Sequence, residues 1–130
     1  MKIAVLGSGG WGTALALVLL ENGHDVTLWS YAEEESTVLR QTGENPMLKG
    51  VALPKELKLT ADLTCVKGCG AVVLATPSFA VRTTARAAAP LLDPGAVLVS
   101  VSKGIEKDTS LTLTEAIEQE GGGAHPIVAL

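Results

Sequence analysis

Short aliphatic runs alternate with longer mixed stretches along most of this chain. Residues 3–6, Ile-Ala-Val-Leu, form an unbroken apolar run ending in glycines, the pattern of a strand buried on both faces. Residues 13–21 read as a helix closed by Asn22-Gly23, a pair suited to a helix C-terminus. A second strand is predicted over 26–29 and a second helix over 33–41, with Glu33, Glu34 and Glu35 where the helix dipole favours negative charge. Residues 42–54 hold two prolines and two glycines and show no clear period. Beyond them the pattern predicts a strand over 57–59, a short helix bearing Cys65 and Cys69, and a strand over 71–75. A helix over 80–92 follows, stopped by Asp93-Pro94-Gly95, and then a strand over 97–101. Asp108 or Thr109 is expected to cap a helix running to about residue 119. Glycines at 121–123 break it, and residues 127–130 begin one more strand. Strand and helix in regular alternation imply right-handed crossovers and a doubly wound, mainly parallel α/β sheet with helices on both faces.

Composition narrows the picture. A chain of 130 residues fits one domain, 1–130, and its 47 % apolar content with only four aromatics calls for an aliphatic core. A net charge of −4 without any Lys/Arg cluster excludes nucleic acid as a partner. Cys65 and Cys69, four apart, fit neither a disulfide scaffold nor a metal knuckle, and are expected as reduced thiols in a cytoplasmic protein. Lys2 followed by apolar residues imitates a secretory signal, but the glycines from Gly7 to Gly12 interrupt the run. The apolar stretch 14–20 is too short to cross a bilayer. No Ser-His-Asp or Cys-His arrangement is visible. His24 and His125 read as surface residues, and no metal is implied.

Gly7-Ser8-Gly9-Gly10-Trp11-Gly12 matches G-x-G-x-x-G directly after a strand and at the opening of a helix. In that context Gly7 permits the tight turn, Gly9 the approach of a pyrophosphate, and Gly12 the close packing of helix on strand. The amides and dipole of the helix start form an anion site, so a dinucleotide-binding (Rossmann-type) domain is expected. Choice between dinucleotides is read at the end of the second strand, here near Ser30 and Tyr31, neither of which is acidic. Asp25 lies at the wrong end of that strand. Arg40 is a helix away from any 2′-phosphate, and the carboxylates from Glu33 to Glu35 would repel one. NAD or NADP therefore both stay open at this point.

Ligands of open α/β sheets sit beyond the carboxyl ends of the strands. Thr76-Pro77-Ser78 follows one such strand, where the hydroxyls can face the cofactor or Ser78 can simply cap the next helix. Ser102-Lys103-Gly104-Ile105-Glu106 follows another, and Lys103 is a candidate to reach a substrate phosphate or carbonyl in the cleft; the plain alternative is a solvated loop lysine.

Together these segments resemble the bacterial NAD(P)-dependent sn-glycerol-3-phosphate dehydrogenases over essentially the whole chain. The matching residues are Gly7 to Gly12 with their continuation Thr13-Ala14-Leu15-Ala16, Glu44-Asn45-Pro46, Leu53-Pro54, Thr76-Pro77-Ser78 and Ser102-Lys103-Gly104-Ile105-Glu106. The resemblance implies that the positions of Gly10, Trp11 and Tyr31 contact the dinucleotide, and that Lys103 touches both cofactor and phosphorylated substrate. It implies hydride transfer between NAD(P)H and dihydroxyacetone phosphate to give sn-glycerol 3-phosphate, a glycerophospholipid precursor, in a homodimer. It also implies a second, helical domain, not contained in this chain, that supplies the main acid–base lysine. The strand at 127–130 is expected to lead into it, and this chain alone to bind dinucleotide without turnover. The sequence departs from the family by lacking a basic group near Ser30-Tyr31, and by Met47 and Lys49 in the irregular loop. Two other readings share the first motif: a ketopantoate- or 6-phosphogluconate-type dehydrogenase, and a non-catalytic dinucleotide-sensing module.

Overall fold

The computed structural model describes residues 1–102, 104–121 and 125–130. The chain runs β1 (Lys2–Leu6), α1 (Gly10–Glu21), β2 (Asp25–Trp29), α2 (Glu33–Thr42), β3 (Glu44–Asn45), β4 (Leu48–Ala52) and β5 (Lys58–Thr60). It continues through β6 (Ala71–Leu74), α3 (Val81–Ala88), β7 (Val97–Ser100), α4 (Leu113–Gln119) and β8 (Ile127–Ala129). Among the described residues six strands form one sheet in the order β5-β2-β1-β6-β7-β8, every pairing parallel. The chain winds outward from β1 to β2 and β5, then returns to pair β6 on the other side of β1. The strand order therefore reverses between β1 and β6, and a crevice opens beyond the carboxyl ends of those two strands.

The aliphatic runs are buried on both faces because side chains alternate along a strand. Ile3 and Val5 of β1 face a cluster with Ala16 of α1, Leu39 of α2 and Val73. Ala4 and Leu6 face the opposite cluster, with Val81 and Ala85 of α3 and Leu113 and Ile117 of α4. Helices thus cover both faces, as the alternation of elements predicts. Among the described residues, no helix is long and apolar enough to cross a membrane.

The structure differs from the pattern-based expectation at several points, each with a local cause. Helix α1 starts at Gly10 rather than at residue 13; tertiary contacts at the turn override the poor helix propensity of its glycines. The irregular stretch after α2 contains an antiparallel hairpin, β3 with β4, too short and too exposed to show a period. The cysteine segment is a 3-10 turn, Leu63–Val66, with Asp62 accepting from the Thr64 amide; Cys65 sits on it and Cys69 beyond it. Both thiols are free, and burial pushes the Cys65 thiol up to about 11. The stretch expected as one helix over 80–92 is α3 flanked by 3-10 turns. Pro90 lacks the N–H that another α-turn would need.

The cap of α4 is Thr112, not Asp108 or Thr109. Thr112 accepts from the Glu115 amide while the Glu115 carboxylate accepts from the Thr112 amide (3.2 Å), a reciprocal box that spacing three residues apart provides. Thr109 is drawn away instead, its hydroxyl donating to Glu106 (2.6 Å), and Ser110 turns the chain at φ 59°. Thr112→Ala is accordingly expected to lower unfolding free energy by about 1 kcal/mol, measured by urea denaturation.

Candidate functional site

A cleft of about 1160 Å³ lies over the carboxyl ends of β1 and β6. Its floor is the turn from β1 into α1, and its walls are the start of α2, the tip of the β3–β4 hairpin, and the turns after β6 and β7. Backbone bonds lock these turns side by side. The Gly7 amide donates to the Trp29 carbonyl (2.9 Å), the Ala75 amide to Leu6 (2.8 Å) and the Val101 amide to Leu74 (3.1 Å).

The glycines of the turn divide the work by geometry. Gly7 has φ +125°, and a Cβ there would fall 2.6 Å from the Ala75 carbonyl oxygen. A Cβ on Gly12 would collide with the Gly7 carbonyl oxygen, and one on Gly10 would lie 3.0 Å from the Met47 carbonyl oxygen. Gly9 is different: its Cβ would meet nothing within 4 Å and its φ is an ordinary −66°. The fold does not require glycine at this position, and a side chain there would project into open space beside the start of α1. Helix α1 begins there with no side-chain cap and no acidic residue in its first turn. Its first amides, which have no intrahelical partner, remain available to an anion.

Pattern reading noticed Asn45 only as part of a family motif, yet it organises this floor. It is buried, and its Nδ2 donates to the Ser8 carbonyl oxygen (2.7 Å) and to Thr13 Oγ1 (2.6 Å). Its Oδ1 accepts from the Met47 amide (2.9 Å), so one amide side chain ties the hairpin to the glycine turn. Thr13 Oγ1 in turn donates to the Ser8 carbonyl oxygen (3.3 Å). The Asn-Pro pair at 45–46 was visible in sequence; the partners 32 and 37 residues away were not.

The residues expected to meet a ligand separate into three groups. Gly7, Ser8, Gly9, Gly10, Trp11, Gly12, Tyr31, Thr76, Pro77 and Ser78 all line the cleft. Ser78 is the first residue of a 3-10 turn, with Pro77 before it and no side-chain cap, so it starts the turn without capping it. Ser30 lies beneath the lining, wholly buried, donating its hydroxyl to Ser8 Oγ (2.7 Å); it positions the turn. Lys103 lies outside the described residues. Phe79, Glu35 and Met47 line the cleft as well.

Two buried polar atoms on this lining lack any partner among the described residues, Thr76 Oγ1 and Trp29 Nε1. Buried donors left unpaired cost about 1–3 kcal/mol each, and both atoms are closed off from the open space of the cleft. The Thr76 carbonyl, by contrast, is held by the Ser102 hydroxyl (2.6 Å).

The loop after β7 is anchored from behind the cleft. Arg82 grips Glu106 with Nε (2.9 Å) and Nη2 (2.7 Å) and reaches Glu120 (3.0 Å), which Arg86 also holds (2.7 Å). The Arg82 hydrogen bonds hold the Glu106 carboxyl below its usual range, and those of Arg86 lower Glu120 to about 2. Glu106 belongs to the Ser-Lys-Gly-Ile-Glu segment, so its ion pair fixes the far end of the loop that begins at Ser102.

Residues 2–130 match the model of the family described as NAD-dependent glycerol-3-phosphate dehydrogenase N-terminus. The chain is 50 % identical over 122 residues to glycerol-3-phosphate dehydrogenase (NAD(P)+) of Moorella thermoacetica, covering 92 % of this chain and 36 % of that protein. It thus spans little more than a third of that relative's length. The crystal structure of glycerol-3-phosphate dehydrogenase from Coxiella burnetii superposes with a TM-score of 0.89 at 34 % identity, over 98 % of this chain and 39 % of that one. A ketopantoate reductase from Ralstonia eutropha also superposes, with TM-score 0.78 over 99 % of this chain and 40 % of that one; its 21 % identity speaks for the fold alone.

Asn45→Ala is expected to cost about 1–3 kcal/mol of stability, since it strips partners from three buried or half-buried groups at once. It should also speed hydrogen exchange at the Met47 amide, measured by NMR, ahead of any change in the central strands.

Proposed function

Because the chain belongs to the NAD-dependent glycerol-3-phosphate dehydrogenase family, matching its N-terminal part, we propose that its cleft holds the dinucleotide with the pyrophosphate on the open amides at the start of α1. The observation that carries this is the uncapped first turn of α1 beside Gly9, whose Cβ-free face borders open space. Gly7 and Gly12 make the turn tight enough to present those amides, and Ser30 and Asn45 hold Ser8 in place from below. Tyr31 stands over the adenosine end, 83 % exposed and edge-on to Trp29 (centroids 6.2 Å apart). Thr76, Pro77 and Ser78 line the part of the cleft beyond β6, which takes the nicotinamide half.

When bound, the dinucleotide supplies or accepts the hydride. The work of this chain is to bind it, orient it and keep one face toward the substrate. The proposed substrate pair is dihydroxyacetone phosphate and sn-glycerol 3-phosphate. Lys103, placed by its motif directly after Ser102, contributes a cation to the substrate phosphate and the cofactor. A helical second domain contributes the acid–base lysine and most of the substrate site, in a cytoplasmic homodimer. The exposed side chains of Trp11, Met47 and Phe79 along the cleft rim give cofactor and second domain an apolar surface to cover.

Calorimetric titration of this chain with NADH and NADPH is expected to show binding of at least one, and no reduction of dihydroxyacetone phosphate by the chain alone. Gly9→Val should abolish binding while leaving the circular dichroism spectrum intact, because the fold leaves room for that side chain and the pyrophosphate does not. Undiminished binding by Gly9→Val would overturn the placement of the pyrophosphate. In the full-length enzyme, Lys103→Ala should lower kcat/KM by about 10²-fold or more if its charge stabilises the phosphorylated substrate. An unchanged value would return Lys103 to the solvent.

A further inference from the structure

We infer that the cleft is built for the dinucleotide with a free 2′-hydroxyl, NAD(H), and that Glu35 is the residue that turns away the 2′-phosphorylated form. This rests on the dinucleotide placement above and adds to it the chemistry of the adenosine ribose. In a parallel sheet of this order that ribose lies at the end of β2, where NAD-binding chains usually place an acid on the strand end itself. Here the strand end offers Trp29, buried Ser30 and Tyr31, and the acid comes from elsewhere.

Glu35 stands in the first turn of α2 and lines the cleft together with Tyr31, Val38 and Leu39. Among the described lining residues it is the one charged side chain. Its Oε1 accepts from the Ala32 amide (3.2 Å), which fixes the carboxylate at the mouth of the helix. The start of a helix ordinarily attracts phosphate, but Glu33, Glu34 and Glu35 already supply the negative charge there. Arg40, the nearest candidate cation, points elsewhere: its guanidinium donates to Glu33 (3.0 Å) and to the Leu59 carbonyl oxygen (3.0 Å), and it does not line the cleft. At this end of the cleft a 2′-phosphate would thus meet the negative charge of Glu35. A 2′-hydroxyl can donate to the free carboxylate oxygen of Glu35.

The test is titration of the purified protein with NADH and with NADPH at low and high salt, for the parent and for Glu35→Gln. Glutamine keeps an acceptor for the Ala32 amide, so the helix start survives while the charge is removed. The parent is expected to bind NADH about tenfold or more tighter than NADPH, a gap that shrinks as salt screens the carboxylate. Glu35→Gln should tighten NADPH, weaken NADH and bring the two within about threefold of each other, with little remaining salt dependence of the ratio. Glu35→Arg should reverse the preference. Equal or tighter binding of NADPH by the parent, or a ratio that Glu35→Gln leaves unmoved, would overturn the inference while the cofactor site stands. Failure of both dinucleotides to bind would overturn the cofactor site itself, and this inference with it.

Discussion

Backbone passing backbone at contact distance, where β1 turns into α1, sets the terms for the rest of this structure. The Gly7 carbonyl lies so close to Gly12, and the Ala75 carbonyl so close to Gly7, that no side chain fits at either position. That approach seats α1 directly on the sheet and brings β6 beside β1. With β1 and β6 side by side, the strand order has to reverse there, and the crevice between their ends follows from topology rather than from any special residue. The same closeness leaves the first amides of α1 pointing into the crevice with no side chain to cap them.

Two polar assemblies fix the loops around the crevice. On one side Asn45 spends its whole amide group on Ser8, Thr13 and Met47, tying the hairpin over the floor. On the other, Arg82 binds Glu106 and Glu120 at once, joining α3, the loop after β7 and the end of α4. In both assemblies one side chain satisfies several partners that are far apart in the chain, which fixes loops that have little apolar surface of their own to bury.

The electrostatics of the crevice follow from the same economy. At the start of α1 the groups open to an anion are neutral amides and a helix dipole, and among the described lining residues Glu35 is the one charged side chain. Under the proposed placement, such a site would hold a pyrophosphate at the open amides of α1. In the inference drawn above, a single carboxylate at the other helix start would then distinguish a hydroxyl from a second phosphate.

The sequence by itself determined the layers and the turn. Aliphatic runs such as Val72 to Leu74 have one comfortable place, a strand covered on both faces, and the glycine spacing at 7, 9 and 12 admits few uses between a strand and a helix. These are local signals, carried by neighbours a few residues apart. The hairpin after α2 was not legible, because its exposed strands carry no apolar alternation to betray them. The sequence does not single out the cap of α4, because Asp108, Thr109 and Thr112 are all competent caps in isolation, and the bond of Thr109 to Glu106 and the Thr112–Glu115 box decide among them. Only the tertiary structure decided that Ser30 lies under the turn rather than in the cleft, that Asn45 is its clamp, and that Glu35 looks into the cleft while Arg40 does not. Each of these depends on partners many residues distant, and their direction is set when the chain closes on itself.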